Sequence, residues 1–167
     1  MIDAGGGSGI YSISLCQKYP DLKSIILDRH EALDVTEEYV SKHKERERIE
    51  LRECDITTDK LGDNIDAVLL SDVTYDETEA GKILRNVWKC LRAKGLLIVR
   101  GYYFDPQNSN PLFGALFTIN QLVIDSNREI VTLPSLKAII EKTGYIITKA
   151  SPLTERSFII IATKPAS

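Results

Sequence analysis

The stretch Met1–Gly9, MIDAGGGSG, decides how the rest of this chain is read. Four residues, Met1 to Ala4, lead into a turn holding Gly5, Gly6, Gly7 and Gly9. IYSISLCQKY follows, with Ile10, Ile13 and Cys16 at near-helical spacing. Strand, glycine turn and helix in that order suit a backbone cradle for a nucleotide-like ligand. Glycine reaches backbone angles closed to other residues and has no side chain to hold a ligand away. The first turn of the helix adds N–H groups without intrahelical partners. A glycine-rich run alone is as readily an ordinary loop, so its surroundings decide.

Working outward, Pro20 and Asp21 break the first helix. Lys23–Asp28, KSIILD, is a continuous apolar run closed by an acid, as in a strand buried on both faces of a parallel sheet. Asp28 lies about twenty residues beyond the glycines, the spacing at which an acid reaches the hydroxyls of a ribose. Alone, it could equally cap the next helix. That helix is predicted over Glu31–Lys44, with Leu33, Thr36 and Val40 inward and KHKERER (42–48) as a solvated helix end and loop. His30 and His43 read as structural or surface residues. Ile49–Cys54 is a third strand, after which Asp55 and Ile56 either bracket an adenine ring or form a turn before Thr57 and Thr58.

Ile65–Ser71, IDAVLLS, is the fourth strand. The acids of DVTYDETEA then start a helix running to Arg92, with Ile83, Leu84, Val87 and Leu91 buried and Trp88 beside them. Gly95 is read as the stop of that helix and Leu96–Val99 as a fifth strand. The alternation implies an α/β, doubly wound, Rossmann-like sheet with right-handed crossovers. Ligands of such sheets bind beyond the carboxyl ends of the strands, which places Asp28, Asp55 and Ser71 to Tyr75 on one rim with the glycines. Beyond it, YYFDPQNSNP (102–111) is a turn region. The apolar run Leu112–Ile124 is helical in part and serves as a pocket wall, a core helix or a packing surface. Pro134–Thr143 forms a further helix ended by Gly144, and Tyr145–Ala150 pairs antiparallel with Ser157–Thr163.

With 167 residues and 43% apolar residues, one compact domain with a real core is expected. A formal charge of -3 supplies no general basic field, which disfavours a nucleic-acid partner. The three cysteines suggest neither a disulfide framework nor a metal site, and fit a reducing cytoplasm. No run has the length of a membrane span. Only four residues precede the glycines, short of the usual strand of about five. The chain is therefore expected to be a piece of a longer protein.

The dinucleotide fingerprint G-x-G-x-x-G fails. Counting from Gly5 puts Ile10 third, and counting from Gly7 puts Ser12 third. The lysine of a phosphate-gripping loop is also missing. An acid at Asp3, next to the glycines, favours a cationic ligand by charge attraction. A sulfonium carrying a ribose and an adenine fits these features together.

On these residues the chain resembles the catalytic domain of the S-adenosylmethionine-dependent O-methyltransferases of the plant caffeate and hydroxyindole type. The similarity runs through IDAGGGSG, IILD, ECDITTD, VLLSDVTYDETEAGKILRNVWKCLRAKGLLIV and REIVTLPSLKAIIEKTGY. The resemblance implies a sheet of six parallel strands and one antiparallel strand. It implies Gly5 and Gly7 against the methionine portion, Asp28 on the ribose, Asp55 and Ile56 around the adenine, and Ser71 lining the pocket. Asp3, Gly9 and Arg29 complete the expected cofactor contacts. It also implies a missing N-terminal domain that would make a homodimer. In the family a histidine after the fourth strand removes the acceptor's proton, and the resemblance gives its place to Tyr75. A phenol with an ordinary pKa of about 10 is a poor base at neutral pH. Tyr75, Asp76 and Asp72 are the nearest candidates for that work, with Asp76 also suited to starting the helix. The expected function is methyl transfer to a small-molecule acceptor, most simply at oxygen. The alternatives are a cofactor-binding module that has lost its base and, disfavoured by Ile10, a nicotinamide-dependent oxidoreductase.

Overall fold

The computed structural model describes residues 1–104 and 112–166. Seven strands form one sheet: β1 (Ile2–Ala4), β2 (Ser24–Asp28), β3 (Ile49–Glu53), β4 (Ile65–Ser71), β5 (Leu91–Gly101), β6 (Ile146–Pro152) and β7 (Phe158–Thr163). Their spatial order is β3-β2-β1-β4-β5-β7-β6. β7 alone runs antiparallel to its neighbours, β5 and β6. The expected six parallel strands and one antiparallel strand are what the sheet contains.

β1 has three residues, yet it is the central strand, paired in parallel on both sides. Ile2 faces Ile25 and Val68 across the ladders, and Ala4 faces Leu27 and Leu70. Support from two neighbours replaces length. Side chains alternate across the sheet. Ile2, Ala4, Leu27, Val68, Leu70 and Leu97 join Leu84 and Val87 of helix α3 (Glu77–Cys90) and Leu136 and Ile140 of helix α5 (Leu133–Lys142) in the main core. A smaller core on the other face holds Ile26 and Ile49 against Ile13 and Cys16 of α1 (Ile10–Lys18) and Val40 of α2 (His30–Val40). Asp3, between Ile2 and Ala4, therefore points to the α1 side. Helix–sheet–helix layering follows from these two stripes.

Several element ends differ from expectation. α3 stops at Cys90, and Gly95 lies inside β5 instead of ending the helix. The last carbonyls of α3 are taken by a distant side chain: Lys164 Nζ donates to Trp88 O and Leu91 O, 2.7 Å each. α2 ends at Val40, short of Lys44. The charged run beyond it makes a 3-10 turn, Lys44–Arg48, in which Glu45 is buried. α4 (Leu112–Ile124) is helical throughout. It exposes Ile119, Val123 and Ile124, so a core helix it is not. Most of the turn region read at 102–111 lies outside the described residues. No described helix is long and apolar enough to cross a membrane.

Candidate active site

The chain leaves β1 directly into the glycine turn, which three contacts hold. Gly5 N–H donates to Leu27 O at 2.7 Å. Gly7 N–H donates to Asp28 Oδ2 at 2.9 Å. The Thr36 hydroxyl of α2 donates to Gly7 O at 2.5 Å. Gly5 is required on two counts. Its φ is +72°, and a Cβ there would lie 2.4 Å from Cγ1 of Val73. Gly7 differs: at φ +54° an added Cβ would meet nothing within 4 Å, so the turn opens to solvent above it. Gly9, which starts α1, packs downward on Ile26 and Val40.

Asp28, at the carboxyl end of β2, accepts from Gly7 N–H through Oδ2 and from Arg29 N–H through Oδ1 (2.8 Å). Each oxygen keeps a lone pair for a hydroxyl donor. Turn and acid are thus one hydrogen-bonded unit. Asp55 follows β3 and is exposed. The N–H and hydroxyl of Thr57 donate to its Oδ1 (2.8 and 2.6 Å) and hold its carboxyl below the usual range. Ile56 packs on the core beside Val73, with its Cδ1 3.9 Å from the space above Gly5.

Asp3 is fully buried. Its Oδ2 accepts from the Ser12 hydroxyl at 2.8 Å, while Oδ1 has no partner. Burial raises its carboxyl to about 6, opposed by the Ser12 hydrogen bonds. The carboxyl lies beneath Gly6 of the turn, and its buried Oδ1 without a donor is an unmet demand for a positive or donor group.

On the other side of β1 the rim continues through Ser71, the last residue of β4, to Asp72. Asp72 adopts a left-handed φ of +61°, a conformation costing a non-glycine residue about 1 kcal/mol or more. Its N–H donates to Arg100 O at 3.0 Å. Its carboxylate accepts from the Arg100 guanidinium, from the Tyr75 hydroxyl and, at 3.2 Å, from Ser71 Oγ. The Arg100 side chain is 13% exposed, lies 4.3 Å over the Tyr102 ring and donates to the Tyr102 hydroxyl at 2.8 Å.

Tyr75 has two aromatic neighbours, Tyr103 (centroids 5.6 Å apart) and Phe117 of α4 (4.7 Å). Its hydroxyl donates to Asp72 and accepts from Tyr102 N–H at 3.1 Å. Burial, reinforced by Asp72, pushes this phenol far above its ordinary pKa. It holds its proton at any ordinary pH, the reverse of what a general base needs. Asp76 is also engaged: it caps α3, accepting from Glu79 N–H at 2.9 Å and from Glu129 N–H at 3.1 Å.

Beside these residues lies a cleft of about 360 Å³, walled by Val73, Tyr75, Tyr102 and Phe117, with Glu79 and Arg128 among its polar groups. A larger depression of about 500 Å³ between α3 and α5 touches neither the glycine turn nor the rim. Sequence reading passed over two residues here. Val73 is the side chain shared by the cleft and Gly5. Arg100 anchors Asp72 from the neighbouring strand. Val73 carries no signal of its own, and the Arg100 pairing spans 28 residues.

The fold and this rim define a Rossmann-like nucleotide-cofactor domain of the methyltransferase class. Comparison with known proteins makes the assignment narrower: the profile of the O-methyltransferase domain matches residues 1–146. The chain belongs to that family. It is 30% identical over 125 residues to 3-hydroxy-5-methyl-1-naphthoate 3-O-methyltransferase of Streptomyces sahachiroi, covering 74% of this chain and 36% of that protein. It is 29% identical over 147 residues to bovine (Bos taurus) acetylserotonin O-methyltransferase, covering 87% and 42%. The crystal structure of human N-acetylserotonin methyltransferase in complex with SAM superposes with a TM-score of 0.85 at 22% identity, over 99% of this chain and 47% of that one. The chain thus spans less than half the length of these relatives.

Proposed function

We propose that this chain binds S-adenosylmethionine at the glycine turn and serves methyl transfer to a small-molecule acceptor held in the adjoining cleft. The observation that carries this is the junction of Gly7 N–H with the Asp28 carboxylate, which joins a turn open to solvent to an acid presenting free lone pairs. The relatives' O-methyltransferase names and the SAM-bound human structure support the same reading.

The residues present fit the cofactor. Gly5 and Gly7 would admit its methionine portion, and the unpartnered Asp3 Oδ1 marks where positive charge is wanted. Asp28 would take the ribose hydroxyls, with Arg29 beside it, and Asp55 and Ile56 would flank the adenine. Gly9 supports the turn from below, and Ser71 closes the pocket next to Asp72. When bound, the cofactor's sulfonium supplies an electrophilic methyl group. The chain's own part is alignment. Gly5 and Val73 set how closely the acceptor approaches, the aromatic walls fix its plane, and Asp72 and Arg100 hold the rim. Placing two reactants in line can remove about 7 to 11 kcal/mol of a barrier in the best cases.

Titration calorimetry of the full chain with S-adenosylmethionine and with S-adenosylhomocysteine tests the reading. Both are expected to bind. Asp28→Ala is expected to weaken them about 10- to 100-fold, the worth of charged hydrogen bonds to two hydroxyls. No heat from either ligand at millimolar concentration would sink the proposal.

A further inference from the structure

The side chain standing between the glycine turn and the cleft is Val73. Its Cγ1 would sit 2.4 Å from a Cβ on Gly5, and the same residue lines the cleft. A group that took a proton from an acceptor aligned with the turn would have to project from this place. Valine has no atom that accepts a proton.

Among the described residues, all but one of the groups around it are committed. From the segment joining β4 to α3, Tyr75 donates to Asp72, Asp72 is paired with Arg100, and Asp76 takes two backbone N–H groups. From β5 and beyond, Arg100 and Tyr102 are bonded to each other. From the turn after α4, Arg128 donates to Gln121 of that helix. Among the described residues, Glu79, in the first turn of α3, is the remaining carboxylate of the cleft. Neither of the chain's two histidines reaches here. His30 faces Glu53 of β3 at 3.7 Å, three strand spacings from β4, about 14 Å. His43 precedes the 3-10 turn that leads into β3.

We infer that this site methylates nucleophiles that arrive without a proton to lose, such as an aromatic ring nitrogen or a phenol already ionised in solution, and that Val73 sets this restriction. The inference rests on the methyltransferase reading above. In the transfer, the acceptor's lone pair forms the bond to the methyl carbon, and the pair of the breaking carbon–sulfur bond returns to sulfur. No proton moves. A phenolate gives a neutral ether and a ring nitrogen gives an N-methyl cation.

The test uses the full chain and two readouts. First, kcat/KM is measured against pH for a pyridine and for a series of nitro- and chlorophenols of graded acidity. Each profile is expected to rise tenfold per pH unit to a single midpoint that moves with the acceptor's own ionisation. A midpoint fixed at one pH for all acceptors, or one that disappears in Glu79→Gln, overturns the inference. Second, 4-nitrophenol is titrated by absorbance on protein saturated with S-adenosylhomocysteine. Its midpoint is expected to stay at the free value in the natural protein and to fall in Val73→His, where an imidazolium would favour the phenolate. A midpoint already tenfold or more below the free value in the natural protein overturns it, as does failure of every acceptor and of the probe to bind. Failure of S-adenosylhomocysteine itself to bind defeats the cofactor reading instead.

Discussion

Asp3→Asn isolates the energetic tension built into the glycine turn. The natural carboxyl is buried beside one hydroxyl donor, with Oδ1 unpartnered, and its pKa rises from 3.8 to about 6. A carboxyl whose folded pKa is raised helps stability below its unfolded value and costs stability as pH climbs through the folded one. At pH 7 the ionised form costs about 3 kcal/mol, from about 1.36 kcal/mol per pH unit. At pH 4.5 the folded carboxyl is mostly protonated and the cost falls to about 1 kcal/mol. Asparagine keeps the shape and the Ser12 acceptor but never ionises. Without ligand, Asp3→Asn is therefore expected to raise Tm at pH 7 by several degrees, about 2–4 °C per kcal/mol for a domain of this size. At pH 4.5 the gain should shrink to about a third. With S-adenosylmethionine the gain is expected to shrink, because a positive charge held over the turn favours the buried carboxylate through space and does nothing for asparagine. Thermal melts at both pH values, with and without ligand, make the measurement. A variant no more stable than the natural protein at pH 7, or equally stabilised at both pH values, would refute the reasoning.

Four further outcomes follow from the geometry. Gly5→Ala forces a left-handed φ on a side chain that collides with Val73, so a loss of about 1–3 kcal/mol in denaturant melts is expected together with loss of cofactor binding. Tyr75→Phe removes the hydroxyl bridge between Asp72 and Tyr102 N–H; urea unfolding should show a cost of about 1–2 kcal/mol, with cofactor affinity nearly unchanged. Lys164→Met strips the carbonyl ligand from the end of α3 and should cost about 1–3 kcal/mol by chemical denaturation. Leu84→Ala, in the middle of the main core, should cost about 2–5 kcal/mol with no selective effect on ligand affinity once folded.

The strands were legible because KSIILD and IDAVLLS are apolar on both faces, and only a sheet covered by helices on both sides buries such runs. The glycine turn and Asp28 were legible by spacing, and one hydrogen bond joins them in the fold. The end of α3 was not. Gly95 looks like a helix stop, but the chain turns extended at Leu91, where Lys164 takes the terminal carbonyls from 73 and 76 residues away. Local sequence holds no trace of that. Tyr75 drew attention for its hydroxyl, whereas Val73, a plain apolar residue in a loop, is the side chain that stands between turn and cleft. The left-handed φ of Asp72 was equally hidden, since the partner that holds it, Arg100, lies on the next strand.

The placement of β7 has a consequence for assembly. β6 precedes it in the chain but meets the sheet only through it, so β6 has no place to pair until β7 is inserted. Seams with β5 and β6 then close on one strand, and the hairpin docks as a unit. Disrupting β7 would not shorten the sheet by one edge strand. It would release β6 as well and leave Leu96 to Gly101 with a bare row of backbone donors and acceptors, an invitation to pair with another chain. Substitutions in Phe158–Thr163 that disturb pairing should therefore show first as association between molecules, before any loss at the distant glycine turn.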